Sequence, residues 1–141
     1  MTYTKLKKIN QKFPEFKGAN WLIRIPLAII FIQQGSDKLP FDHSTAEAYE
    51  LPLSVWFVVI ISELLAGFGL LFGGILQSLK ILNLIGDFLT RFSGTIIVCI
   101  ITGVIILSDP ESFIDILLYD HIHVMLYCGG LFFTLRGNRA K

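Results

Sequence analysis

The sequence has few charged residues and lacks the short motifs that mark soluble active sites. Asp, Glu, Lys and Arg make up 16% of its 141 residues, whereas a soluble domain has about 25%. The net charge of +1 gives no electrostatic basis for nucleic-acid binding. The chain contains no glycine-rich phosphate-binding loop, no nucleophile elbow and no HExxH zinc motif. These absences argue against an autonomous active site of the soluble type.

Cysteine is also scarce, and the sequence shows no removable signal peptide. Cys99 and Cys128 are the two cysteines, and both lie inside apolar runs without a CxxC motif. They are expected to be buried thiols that behave as small hydrophobic side chains, with a disulfide as the alternative. The N-terminus is basic, but the first apolar run lacks a small-residue cleavage site and is followed by further apolar runs.

Long apolar runs dominate what is present. Apolar residues make up 53% of the chain, and the mean hydropathy is +0.65. About 20 apolar residues in a helix cross a bilayer core of about 30 Å. The sequence predicts an all-α, polytopic membrane protein whose domain, residues 21–135, is a four-transmembrane-helix bundle. The predicted spans are 21–38, 53–74, 82–107 and 116–135.

The charges between these spans predict the orientation. The basic residues fall in residues 1–20, at Lys80 and in the tail 136–141, whereas the other two loops are acidic. By the positive-inside rule, both termini are cytoplasmic. Residues 1–20 are expected to form an amphipathic surface helix or a flexible basic segment, and 136–141 a basic cytoplasmic tail. The predicted location is a prokaryotic cytoplasmic (inner) membrane, with several spans.

Charged residues inside the predicted spans are the candidate functional residues. A carboxylate at the bilayer centre costs about 2.5–3.5 kcal/mol, so Glu63 requires a partner inside the protein. At 1.5 Å per residue, helical depth allows it to meet a set of charges in the inner half of the bundle: Arg24, Asp87 and Arg91. The set is either an ion-pair network that fixes helix register or a pocket that binds a head group or relays protons. A third outcome is that the groups do not meet.

The positions of these charged residues along the helices add narrower expectations. Asp87 and Arg91 are four residues apart and can pair along one helix. Lys38, at the end of the first span, can extend to the head groups, and Arg24 has the same alternative at the other end. Lys38 is also a candidate for ligand binding or proton relay.

Glycines and histidines complete the set of residues with predicted roles. Gly69-x-x-x-Gly73 is a small-residue face that permits close helix packing, and Gly35 and Gly67 are further packing positions. The histidines are only weak candidates for metal binding, because ligands two positions apart point in different directions on a helix. No metal site is therefore expected at these residues: His43, His121 and His123.

Two segments resemble a known family. RIPLAIIFIQQGSDKL, followed by an acidic loop and SELLAGFGLLFGG, resembles the DoxX family of small four-helix membrane proteins. The resemblance is clearest over residues 21–74. It implies a membrane subunit linked to redox systems, since the family is named after a subunit of an archaeal terminal quinol oxidase and has relatives associated with thiosulfate:quinone oxidoreductase. By position, the resemblance involves Arg24, Gly35, Lys38, Glu63, Gly67 and Gly73.

The expected function is that of a non-catalytic subunit of a quinone-linked membrane redox complex. Its buried charges would bind a quinone-like head group or fix the subunit interface, and no covalently bound cofactor is expected. One alternative is a homo-oligomeric transporter or channel for a small solute or protons. Another is a structural or assembly subunit of a larger membrane complex. The expected partners are the lipid bilayer and either other membrane subunits or further copies of the chain.

Overall fold

The computed structural model describes residues 18–39, 41, 43–80 and 82–138. Over these residues the chain is helical and contains no strand, so the predicted all-α class is confirmed. The predicted N-terminal amphipathic segment lies almost wholly outside the described residues, as does the end of the tail. The helices are α1 (Ala19–Asp37), α2 (His43–Ala48), α3 (Leu53–Ser78), α4 (Asn83–Leu107), α5 (Phe113–Tyr119) and α6 (His121–Arg136).

Within the described residues, α3 and α4 are long and apolar enough to cross a membrane. They have 26 and 25 residues, and an 18-residue stretch of each has a mean hydropathy of 2.3 and 2.0, respectively. Only 39% and 28% of those stretches are buried inside the protein, whereas the core helix of a soluble protein would be mostly buried. Their outer faces carry exposed large apolar side chains such as Phe57, Phe72 and Phe88.

One hydrophobic core joins the four longer helices. α3 packs between α1 and α4, and α6 packs on the other side of α4. The core includes Leu27 and Phe31 from α1, Leu70 from α3, Ile97 from α4 and Phe133 from α6. The interior therefore combines these apolar side chains with the small residues that let the helices approach.

Glycines lie on both faces of α3 where its neighbours come closest. A Cβ atom added at Gly67 would lie 2.8 Å from the carbonyl oxygen of Ala28 in α1. One added at Gly73 would lie 2.9 Å from that of Gly86 in α4. Gly69 likewise faces Ser93 of α4, whereas Gly35 of α1 faces Leu64 of α3. α3 continues past the predicted end at residue 74 to Ser78, so Gly73 and Gly74 lie inside the helix and do not end it.

The fourth predicted span, 116–135, is not one continuous helix. α5 ends at Tyr119, Asp120 has φ −115° and ψ 51°, and α6 then begins at His121. Asp120 lies outside helical geometry, and its carboxylate contacts Nδ1 of His123 at 2.5 Å. At 1.5 Å per residue, the 16 residues of α6 extend about 24 Å, less than was predicted for this span.

Candidate functional site

The structure separates the predicted charged residues into two clusters. The first consists of Lys38 and Glu63 and is called the outer pair. The second is called the Arg24 cluster and consists of Arg24, Asp87, Thr90, Arg91 and Asn138. Arg24 and Lys38 lie about 21 Å apart along the helix axis at 1.5 Å per residue. Glu63 therefore does not join the other predicted residues in a single site.

In the outer pair, Lys38 turns towards the protein interior. Its Nζ donates to Oε1 and Oε2 of Glu63 at 2.6 Å and 2.7 Å, and to the carbonyl oxygen of Gln34 at 3.3 Å. The Glu63 side chain is 3% exposed and that of Lys38 is 21% exposed. The expectation that Lys38 extends to the head groups is wrong, because the buried carboxylate and a last-turn carbonyl of α1 bind the ammonium instead.

An aromatic layer lies over the outer pair. The ring centroid of Trp56 is 5.7 Å from Lys38 Nζ, and Tyr49 stacks on Trp56 at 5.0 Å. Trp56 is buried against Ala46 of α2, and its Nε1 has no hydrogen-bond partner within the described chain. Trp56, packed against Ala46 of α2, therefore covers part of the pair, and this low exposure strengthens the attraction between its charges.

Arg24 is completely buried and does not extend to head groups. Its Nη1 donates to the carbonyl oxygen of Leu70 and to Thr90 Oγ1, the latter at 3.1 Å. The guanidinium carbon lies 4.6 Å from the ring centroid of Phe133 and 5.5 Å from that of Trp21. Within the described residues, no carboxylate lies at ion-pair distance from Arg24. Aromatic faces and neutral oxygens therefore surround this positive charge.

Asn138 connects Arg24 to helices α3 and α4. Its Oδ1 accepts from Arg24 Nη2 at 2.6 Å and from Thr90 Oγ1 at 2.9 Å. Its Nδ2 donates to the carbonyl oxygen of Gly73 at 2.9 Å, and its backbone N–H donates to Asp87 Oδ1 at 2.7 Å. The sequence prediction placed this residue in a cytoplasmic tail. It is instead 5% exposed inside the bundle.

The remaining members of the cluster hold the C-terminal end of α6. Arg91 Nε donates to Asp87 Oδ2 at 2.9 Å, the pairing that the spacing of four residues predicts. The Nη atoms of Arg91 donate to three last-turn carbonyl oxygens, those of Thr134 at 3.0 Å, Leu135 at 2.8 Å and Arg136 at 3.2 Å. Arg91 therefore supplies donors to carbonyls that a helix end leaves without intrahelical partners.

A polar recess of about 280 Å³ borders the Arg24 cluster, at the end of the bundle where α3 turns into α4. Its lining residues are Gln77, Asn83, Leu84, Asp87 and Asn138. No sequence pattern pointed to Gln77, Asn83 or Asn138, because amides near helix ends are ordinary surface residues in a sequence. The glycine that follows α6, Gly137, was the available sign of a turn there.

The weak metal candidates remain apart. His43 Nδ1 lies 3.9 Å from Glu47 Oε1 on an exposed face of α2, and His123 pairs with Asp120. Across the described ranges, no three His, Cys, Asp or Glu residues are grouped so that they could hold a metal ion. Cys99 and Cys128 are free and exposed, so the expectation of buried thiols is wrong.

Comparison with family models, curated proteins and solved structures found no match to this chain.

Proposed function

We propose that the chain is an integral membrane protein whose helices α1, α3, α4 and α6 cross a prokaryotic cytoplasmic membrane, with both termini in the cytoplasm. The apolar, exposed faces of α3 and α4 support this. Lys80 lies in the turn between them, and acidic residues lie in the segment between α4 and α6. The short α6 is compatible with a span, because a bilayer thins locally around a short hydrophobic helix at modest cost.

The proposed role is that of a non-catalytic subunit in a quinone-linked redox complex, as the DoxX resemblance implies. The outer pair carries this proposal. A lysine ammonium can donate a hydrogen bond to a quinone carbonyl, and a carboxylate can accept one from a quinol hydroxyl. Glu63 lies about 15 Å from the start of α3 at 1.5 Å per residue, a depth that the ring of a membrane quinone can reach. The chain itself would position the head group and would not transfer electrons.

A structural or assembly role is the second candidate. Lys38 uses three internal acceptors, and both terminal nitrogens of Arg24 are bonded inside the protein. Charges bonded in this way hold helices in register without any ligand. Transport has weaker support, because Leu27, Ala28 and Phe31 fill the core of α1 between the two clusters.

The test is purification of the tagged protein from its native membrane in mild detergent, followed by mass spectrometry of proteins and extracted lipids. The redox-subunit proposal predicts stoichiometric recovery of an oxidoreductase together with quinone. Glu63→Gln should lower quinone recovery, whereas the exposed control Glu47→Gln should not.

Two results would contradict this role. Recovery of the chain alone as a homo-oligomer would overturn it. Recovery of an intact partner complex with equal quinone for both variants would favour the structural role.

A further inference from the structure

The positive charge of Arg24 has no anionic partner among the described residues, although the side chain is fully buried. Its bonded oxygens belong to a carbonyl, a hydroxyl and an amide. Its Nε has no hydrogen-bond partner in the part of the chain that the structure describes. A buried guanidinium normally pairs with a carboxylate or phosphate, which its planar set of donors fits well. A bound anionic ligand could supply the negative charge that the Arg24 guanidinium lacks here.

The side chain of Asn138 occupies the position where such a ligand oxygen would bind. Its Oδ1 accepts from both Arg24 Nη2 and Thr90 Oγ1, two donors that a phosphate oxygen could equally use. This residue does not belong to a helix, because α6 ends at Arg136 and Gly137 follows with φ +59°. Withdrawal of Gly137 and Asn138 would therefore expose the donors without unfolding a helix.

The recess outside Asn138 provides room and further donors. Gln77 and Asn83 contribute amides to its lining, and Asn83 and Leu84 are the first residues of α4, where backbone N–H groups favour anions. Asp87 also lines the recess, but its charge is offset by Arg91 at 2.9 Å. The two arginines and one aspartate leave an excess of one positive charge.

We propose that Arg24 and Thr90, with the recess beside them, form a binding site for a phosphate group, and that Asn138 is an internal plug that closes this site. The phosphate belongs either to a phospholipid head group of the inner leaflet or to a free phosphate ion. The site lies at the α3–α4 end of the bundle, away from the outer pair. The inference is therefore independent of the quinone-linked role.

Purified protein in detergent provides the test, with thermal unfolding followed during titration with inorganic phosphate at constant ionic strength set by chloride. Asn138→Ala leaves the Arg24 donors open, so it should be less stable than wild type in chloride and should regain stability saturably with phosphate. The wild type should respond at about tenfold higher phosphate concentration, because phosphate must first displace the plug. Glu63→Gln, destabilised at the outer pair but with Asn138 intact, should respond only in the wild-type concentration range.

If Asn138→Ala does not fold, Asn138→Asp tests the same proposal. Its carboxylate places a negative charge beside Arg24, so phosphate binding measured by calorimetry should be lost relative to wild type. Equal phosphate binding by wild type and Asn138→Asp would overturn the proposal.

Vesicles separate the two sources of phosphate. Stabilisation by phosphatidic acid in phosphatidylcholine vesicles, beyond that in phosphatidylcholine alone, would assign the site to a lipid head group. Rescue by inorganic phosphate without this lipid effect would assign it to the free ion. Stabilisation by neither probe would overturn the proposal.

Discussion

The ammonium nitrogen of Lys38 lies 2.6 Å and 2.7 Å from the two carboxylate oxygens of Glu63. This contact joins the C-cap residue of α1 to the middle of α3. Removal of two charges from water costs several kcal/mol per ion, and their attraction offsets this cost only when the geometry is good. The bidentate geometry under Trp56 meets that condition, so loss of either partner leaves an unpaired buried charge.

Replacing one residue of the outer pair should destabilise the protein more, per residue changed, than replacing both with apolar residues. Glu63→Leu or Lys38→Met alone should each lower the stability by about 3–5 kcal/mol, whereas the double variant that carries both changes should cost clearly less than the sum. Thermal unfolding in detergent measures these differences. The exposed pair of His43 and Glu47 is the control, and Glu47→Gln should change stability by less than about 0.5 kcal/mol. Additive losses in the double variant would show that the two residues do not interact.

The glycine contacts of α3 and α4 predict opposite effects for two Gly→Ala changes. Ala at position 73 would place a Cβ 2.9 Å from the carbonyl oxygen of Gly86, so the helices must separate, at a cost of about 1–3 kcal/mol. Gly103 lies in α4 and has no atom within 4 Å of an added Cβ. Gly103→Ala should therefore stabilise the helix by about 0.5–1 kcal/mol. Equal Tm values for the two variants would contradict the close approach at Gly73.

The sequence predicted the helices better than the contacts between charged residues. Apolar length alone located α1, α3 and α4 to within a few residues, because hydropathy is a property of consecutive residues. The Asp87–Arg91 pair was predictable for the same reason, since helical spacing fixes it. Lys38 has a long, flexible side chain at a helix end, so its direction depends on where α3 presents Glu63. No local pattern contains that information.

Asn138 shows the same limit more strongly. A basic tail after the last apolar run ordinarily stays in solvent, and amides carry no charge that demands a partner. Its burial depends on the turn at Gly137 and on acceptors and donors supplied by three other helices. The break at Asp120 was similarly hidden, because the apolar residues on both sides of it continue the run.

Membrane orientation can be tested with single cysteines. Both native cysteines are exposed and would be replaced by serine first. Glu111→Cys, in the segment after α4, should react with an impermeant maleimide added to intact cells or right-side-out vesicles. Ser78→Cys, at the end of α3, should react only after permeabilisation, because the proposed topology places it on the cytoplasmic side. Labelling of Ser78→Cys in intact cells, with Glu111→Cys protected, would reverse the orientation.

A substitution at Gly137 gives a second test of the proposed role of Asn138 as a plug. Its φ of +59° and ψ of −136° belong to a region that residues other than glycine rarely adopt, and a Cβ there would lie 2.7 Å from Arg91 Nε. Gly137→Ala should therefore cost more than the roughly 1–3 kcal/mol of backbone strain alone and should release Asn138 from Arg24. Because the Arg24 donors then become open, inorganic phosphate should stabilise Gly137→Ala in the same concentration range as Asn138→Ala, whereas Gly103→Ala should respond only in the wild-type range. A Gly137→Ala variant that is destabilised but insensitive to phosphate would separate the turn from the phosphate site.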